Sequence, residues 1–500
     1  MKSLEYLLEP VVQVGHGQCT HHPKKGLLLF GPDKSERSIA EIRIGVVGTI
    51  GGIALYKKWV ERLNRYIEAG GSGSSHLFYP GFSEIFDTQW TPRPAIELAI
   101  SGNDLQRVIR IGDRYQSIYD SVSIYENVIR KALTENDQNI DTWFVVIPDE
   151  VYAFGRPQSR IPNTQRVEPD RLMNLKTARK LNSQPSLFSE DMDALVPYQF
   201  TLDFHHQLKA RLLDTRAVTQ VVRESSLLPV SIAEHSGRRM QDPASVAWNI
   251  SVTTYFKSGG RPWKVANVRP GVCYIGLVFK KTNDSFEDGN ACCGAQMFLD
   301  SGDGVVFKGT PGLYHSPKSN EFHLTYDAAK ELLTNVMAAY QEFYNDRPKE
   351  IFLHGKTYFN EHEWSGFVDA APKDCNIVGV RITRSNEFKI YRRGSLPVAR
   401  GSFFALSQTE GYLWTTGFVP ALGTYPGREV PNPLLLEVVK GQADIGLVAN
   451  DVMALTKLNF NSCIYGDGLP VTLRFADTVG EILTAAPLKS IPPLPFRHYI

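Results

Sequence analysis

The sequence predicts an α/β protein of two lobes, a Rossmann-like lobe followed by a ribonuclease H-like lobe. Three observations carry this. The first half alternates apolar strand patterns with amphipathic helix patterns. The second half opens on three successive strand patterns before its first long helix. Between them, "SGGRPWKVANVRPG" (258–271) is rich in Gly, Pro and basic residues and separates two textures.

In the first lobe, "IRIGVVGT" (42–49) reads as a buried strand ending in glycine. "IALYKKWVERLNRYIEAG" follows with helical spacing. "DTWFVVIPDEVY" (141–152) is a second apolar strand with a turn after it. A helix over 204–215 and a strand "AVTQVVRES" (217–225) close the lobe. The polar stretches 68–81 and 179–193 read as loops. In the second lobe the strands are "VCYIGLVFKK" (272–281), "ACCGAQMFLD" (291–300) and "DGVVFKGT" (303–310). Then come a helix over 326–346, a strand over 349–355, a helix over 360–371 and a strand over 376–385. The order β-β-β-α-β-α-β is that of ribonuclease H. The predicted domains are 1–250 and 251–500.

Composition bounds the function. The 500 residues have 42% apolar and 11% aromatic side chains, which suits packed cores, and a formal charge of +1. That balance argues against coating nucleic acid over the whole surface, yet permits a local basic channel. Six cysteines without a CxxC pair read as reduced thiols in a cytoplasmic protein. The N-terminus lacks a signal-peptide pattern, and no run approaches the ~20 apolar residues of a membrane span.

Several chemistries find little support. "GVVGTIGG" (45–52) lies between strand and helix, but its glycine spacing is not G-x-G-x-x-G, so it reads as a close-packed turn. Cys19, His21 and His22 have no second pair at zinc-ligand spacing. A ribonuclease H nuclease needs carboxylates around two divalent ions. The first belongs mid-way along the first strand, where Ile275-Gly276-Leu277-Val278 stands. Another belongs at the end of the strand after the long helix, where the sequence reads Leu353-His354-Gly355-Lys356. Neither stretch carries the needed acid, and an apolar residue and a glycine cannot coordinate the metals.

One segment concentrates cations: "FHHQLKARLLDTRAVTQVVRES" (204–225). His205 and Lys209 are i and i+4 and share a helix face. Gln220 lies on the next strand, and Lys257 precedes Gly259–Gly260. Two cations, an imidazole and an amide suit a terminal phosphate. A solvated helix face would show the same charges.

Taken together, these segments resemble Argonaute proteins of the short prokaryotic branch, which have only MID and PIWI domains. "HHQLKARLLDTRAVTQVV" is similar to the MID signature, and "TTYFKSGGRPW" to the segment carrying its last phosphate-binding lysine. "VCYIGLVF" and "EIFLHGK" stand where active PIWI domains carry their first two aspartates. "GLLLFGPD" (26–33), 413–439 and 455–483 also resemble family segments. The resemblance covers nearly the whole chain. It implies that His205, Lys209, Gln220 and Lys257 bind the 5′-phosphate of a short guide, RNA by expectation. It implies a Mg²⁺ ion beside that phosphate, held in part by the C-terminal carboxylate of Ile500. Leu277 and Gly355 would be degenerate catalytic positions. Asp477 would be the one acid left at a catalytic place. Arg381, Arg384 and Arg392, on strand candidates, would track nucleic-acid backbone. N and PAZ domains would be missing.

The resemblance further implies a sensor without cleavage. It would pair with an APAZ-domain effector, a TIR-APAZ protein first and a sirtuin-like one second, whose NAD degradation answers invading single-stranded DNA. Target binding would release or oligomerise the effector. The competing readings are an active guided nuclease with ligands among Asp300, Asp303, Glu361 and Asp477, and a nucleotide-dependent enzyme using the turn at 45–52.

Overall fold

A computed structural model describes residues 4–70, 77–169, 173–228, 242–266, 268–281, 291–298, 304–308, 313–316, 321–425, 427, 429–487 and 492–500. Two sheets organise it. The first holds four parallel strands in the order Ile96–Ala99, Ile44–Gly48, Thr142–Ile147 and Thr219–Arg223. The central two are buried at every residue, as expected for strands covered on both faces. The Ile96–Ala99 strand has no apolar run to betray it, since its residues alternate half-buried and exposed. One face carries Tyr56, Trp59, Trp90 and Phe144, packed ring against ring. The other is covered by the Arg114–Glu135 and Phe204–Leu212 helices.

The second sheet has ten strands. Its centre is Ala291–Phe298, Val272–Lys281, Glu350–Gly355 and Asn376–Arg384. The first pair is antiparallel and the next two are parallel. The predicted β-β-β-α-β-α-β order is present, with a hairpin of Leu313–Ser316 and Glu321–Leu324 inserted before the Tyr326–Tyr344 helix. The fold is thus the mixed α/β arrangement that the sequence predicts.

The two lobes are laced together by the chain ends. Leu4–Tyr6 forms an edge strand of the ten-stranded sheet, and Val12–Gln13 pairs with Lys264–Val265. Leu494–Pro495 closes the opposite edge on Gly304–Lys308. The Pro243–Lys257 helix runs unbroken through the predicted division at 250/251. One buried apolar cluster accordingly spans both lobes, from Val46 and Phe144 to Trp263, Leu436 and Tyr499. Among the described residues no helix is long and apolar enough to cross a membrane.

Candidate nucleic-acid interface

The Phe204–Leu212 helix begins at Asp203, whose Oδ1 accepts from the His206 backbone N–H at 2.9 Å. Phe204, Leu208 and Leu212 bury the inner face. Arg216 turns the chain in the left-handed region, φ 57°, into the Thr219–Arg223 strand. Lys209 is thereby aimed back across that strand. Its Nζ donates to the carbonyl oxygens of Thr219 at 3.2 Å and His498 at 3.4 Å and to a terminal oxygen of Ile500 at 2.8 Å. Lys257, the last residue of its helix, donates to the same Thr219 oxygen at 3.0 Å and to Gln220 Oε1 at 2.7 Å. The structure therefore brings Lys209, Gln220, Lys257 and Ile500 into one site. Residues 290 apart in the chain meet there.

Each lysine is only 2% exposed. Among the described residues no side-chain carboxylate pairs with either of them. Burial lowers the Lys209 pKa to about 7. Burial, and then the charge of Lys209, hold Lys257 well below its ordinary value. Two lysine Nζ groups that share one carbonyl oxygen while burial opposes their charge would be drawn to the ammonium form by an anion bound there. His205 is different. Burial, then Lys209, His206 and Lys257, keep its pKa well down, so it enters the site as a neutral ring that donates or accepts without charge.

The other cations of the segment are already engaged. Arg211 pairs with Glu126 and lies over Tyr119 at 4.4 Å. Arg223 lies 4.0 Å from the Tyr152 ring centroid, and Arg156 lies 3.6 Å from it. Tyr152, Arg156, Arg223, His205 and His206 line a cavity of about 580 Å³ at the carboxyl ends of two parallel strands. Ligands of open α/β sheets bind at that end. Tyr152 and Arg156 were not singled out from the sequence. The signal was the strand-ending "PDEVY", readable only once its neighbour strand is known.

The glycine turn at 45–52 is filled by the protein itself. Thr49 Oγ1 donates to Glu224 Oε1 at 2.7 Å and accepts from the Gly52 N–H at 2.9 Å. A Cβ on Gly52 would lie 2.8 Å from that carboxylate and 2.9 Å from Val146. Glycine here serves close packing, and Glu224 takes the helix N-terminus that a phosphate would need.

In the second lobe, Leu277 is 4% exposed within an apolar cluster with Ile275, Met297 and Phe307. Gly355 sits beside it at the end of the adjacent strand. Asp477 is exposed and pairs with Lys356 Nζ at 2.9 Å. Glu361 pairs with Lys440. Asp300 and Asp303 lie outside the described residues. Arg381 is held by Glu437 and lies over Tyr358 at 4.4 Å, whereas Arg384 is exposed at the strand end. Arg392 corrects the sequence reading. It lies in irregular chain beyond that strand, over Phe418 at 5.6 Å, because the strand stops at Arg384.

This architecture is an Argonaute-like fold, matching the MID and PIWI portion of such structures. Clostridium butyricum Argonaute bound to a guide DNA and a 19-mer target DNA superposes with a TM-score of 0.63 at 16% identity, over 97% of this chain and 53% of that one. Aa-Ago with externally bound siRNA gives 0.53 at 14% identity, over 99% and 56%. A. aeolicus Argonaute gives 0.52 at 14%, over 98% and 54%. The chain spans about half the length of these structures. No protein-family model and no curated protein matches it.

Proposed function

We propose that this protein is a guide-dependent nucleic-acid sensor that binds a 5′-phosphorylated short guide, RNA by preference, and pairs it with complementary single-stranded DNA. The observation that carries the reading is the buried pair Lys209 and Lys257, whose Nζ groups share the Thr219 carbonyl with no side-chain carboxylate beside them among the described residues. A terminal phosphate supplies the counter-charge and stronger, charged acceptors. Gln220 and the neutral His205 add donors, and the 580 Å³ cavity beside His205 gives the first nucleotide room. Base pairing would read sequence while the protein reads backbone.

A Mg²⁺ ion belongs to this proposal. The pocket's two lysines, when charged, repel a lone cation, while its carbonyl and amide oxygens do not neutralise one. The Ile500 carboxylate would hold the ion jointly with guide phosphate oxygens, the arrangement Mg²⁺ favours. There it would screen phosphates that otherwise repel one another.

We also propose that the PIWI lobe does not cut. Leu277 and Gly355 offer no ligand, and Asp477 is bound to Lys356. The response would then rest with a partner chain, an APAZ-domain effector of the TIR or sirtuin-like kind that degrades NAD, acting after target binding and oligomerisation.

The test is binding of 5′-phosphorylated and 5′-hydroxyl guides to wild type and to Lys209→Ala/Lys257→Ala. Each charge-assisted contact is worth about 1.5–3 kcal/mol. The double variant is expected to lose tenfold or more on the phosphorylated guide alone. Equal weakening of both guides would reject the reading. Incubating a matched target with Mn²⁺ or Mg²⁺ tests the second claim, and a defined cleavage product would overturn it.

A further inference from the structure

We propose that Asp203, His205 and His206 form a binding site for a divalent cation of the zinc, cobalt or nickel class, separate from the Mg²⁺ expected at Ile500. One potential ligand atom of each residue lies within 4.8 Å of the other two, and no other such group occurs among the described residues. Ligands at zinc distances of ~2.1 Å in a tetrahedron stand about 3.4 Å apart. His206 Nδ1 and Asp203 Oδ1 are already 3.5 Å apart. The His205 and His206 rings, with centroids 5.4 Å apart, need only side-chain rotation to complete the set.

The local structure fixes these groups. Asp203 caps the helix through Oδ1 on the His206 N–H, which holds that carboxylate 3.5 Å from His206 Nδ1. His206 is braced from the other lobe, since its Nε2 faces Glu481 Oε2 at 3.5 Å. Lys280 Nζ holds the opposite Glu481 oxygen at 3.0 Å. A carboxylate behind a ligating imidazole is the usual outer partner that sets its tautomer and orientation. Two imidazoles and one carboxylate select a borderline metal over magnesium, which prefers oxygen alone. All three residues line the 580 Å³ cavity, so a water or a ligand atom can enter as the fourth donor. The positive end of the helix opposes a cation here, and the charge of Asp203 offsets it.

His205 serves both this site and the phosphate pocket, but Asp203 and His206 belong only to the ligand set and Lys209 and Lys257 only to the pocket, so variants of those four tell the two sites apart. The full chain is stripped with chelator and titrated with CoCl₂, ZnCl₂ and MgCl₂ by calorimetry, and Co²⁺ binding is also followed by its visible absorption. Wild type is expected to bind one Co²⁺ or Zn²⁺ with the bands of a low-coordinate ion, and Mg²⁺ far more weakly. Asp203→Asn keeps a capping side chain. It and His206→Gln should each weaken Co²⁺ by more than tenfold, and Glu481→Gln by about tenfold. Lys209→Ala/Lys257→Ala should keep Co²⁺ affinity within about twofold while losing its phosphate preference. Should Asp203→Asn lower the thermal midpoint, His206→Gln decides. Wild-type affinity in the ligand variants, or no Co²⁺ bound by wild type, overturns the proposal. Intact Co²⁺ binding without phosphate preference in wild type would instead remove the guide reading alone.

Discussion

Two regions of this protein bury a pair of cations, and they resolve the problem differently. Arg400 and Lys457 enclose Glu9. Arg400 Nε donates to both Glu9 oxygens at 3.0 Å, and Lys457 Nζ lies 2.5 Å from one of them. Their remaining donors reach Thr456 Oγ1 and the carbonyls of His21, Tyr465 and Thr415. Lys209 and Lys257 share the Thr219 carbonyl oxygen, with Gln220 Oε1, the His498 carbonyl and a terminal oxygen of Ile500 around them, and among the described residues no side-chain carboxylate. Burial lowers Lys457 to about 7, with Glu9 pulling it back up, whereas burial alone acts on Lys209 to reach the same value. The first pair is a finished staple tying the N-terminal segment to the second lobe. The second pair is unfinished. A fold keeps such an arrangement only where something other than the fold completes it.

The comparison breaks most visibly at Glu9. Glu9→Gln leaves two buried cations without a counter-charge and is expected to cost about 3–5 kcal/mol in urea unfolding. The ratio of phosphorylated to hydroxyl guide affinity should not move. A normal unfolding midpoint in this variant would show that the two pairs do not differ as described.

Lys257→Met runs the opposite way. Replacing a buried lysine that lacks a side-chain counter-charge by an apolar chain of similar volume is expected to stabilise the free protein by about 1–4 kcal/mol. The same change should cost about 1.5–3 kcal/mol in phosphorylated-guide binding. Loss of stability and affinity together would place Lys257 in the scaffold instead.

The pH response sharpens the contrast further. Lys209 has a folded value of about 7 against roughly 10.4 when unfolded. Between pH 7 and 10 the unfolded chain therefore binds more protons at this lysine, and stability rises with pH across that window. Lys457 contributes in the same direction. A bound phosphate favours the ammonium, so binding takes up a proton above pH 7. Affinity for phosphorylated guide should fall toward tenfold per pH unit above 7, and that for hydroxyl guide should stay flat. Isothermal titration in buffers of different ionisation enthalpy would read the proton directly.

The smallest effect is expected at the exposed Lys356–Asp477 pair. Asp477→Asn should change stability by no more than about 0.2–1 kcal/mol. A larger loss, measured by urea melt, would mean that the pair organises the second lobe.

Much of the frame was legible beforehand because it depends on local pattern. The buried strands Ile44–Gly48 and Thr142–Ile147 stand out as largely apolar runs, and Leu277 and Gly355 exclude a metal ligand by their chemistry alone. The Ile96–Ala99 strand was not legible, since its half-exposed alternation mixes with turn residues. The Asp203, His205 and His206 cluster was half visible, as adjacent histidines near a capping acid. What escaped notice was that a helix N-terminus bends all three toward one point.

By itself the sequence determined the order of strands and helices, the shared face of His205 and Lys209, and the absence of acids at two strand positions. Those follow from spacing and residue type. Only the tertiary structure decided which cations go without a side-chain counter-charge. Arg400 meets a carboxylate 391 residues away in sequence, and Lys457 meets the same one from still farther along the chain. Lys209 instead meets the carbonyl of His498 and a terminal oxygen of Ile500. The energy of a buried charge is set by whatever lies within a few ångströms of it, and those neighbours are chosen by the fold, not by the chain.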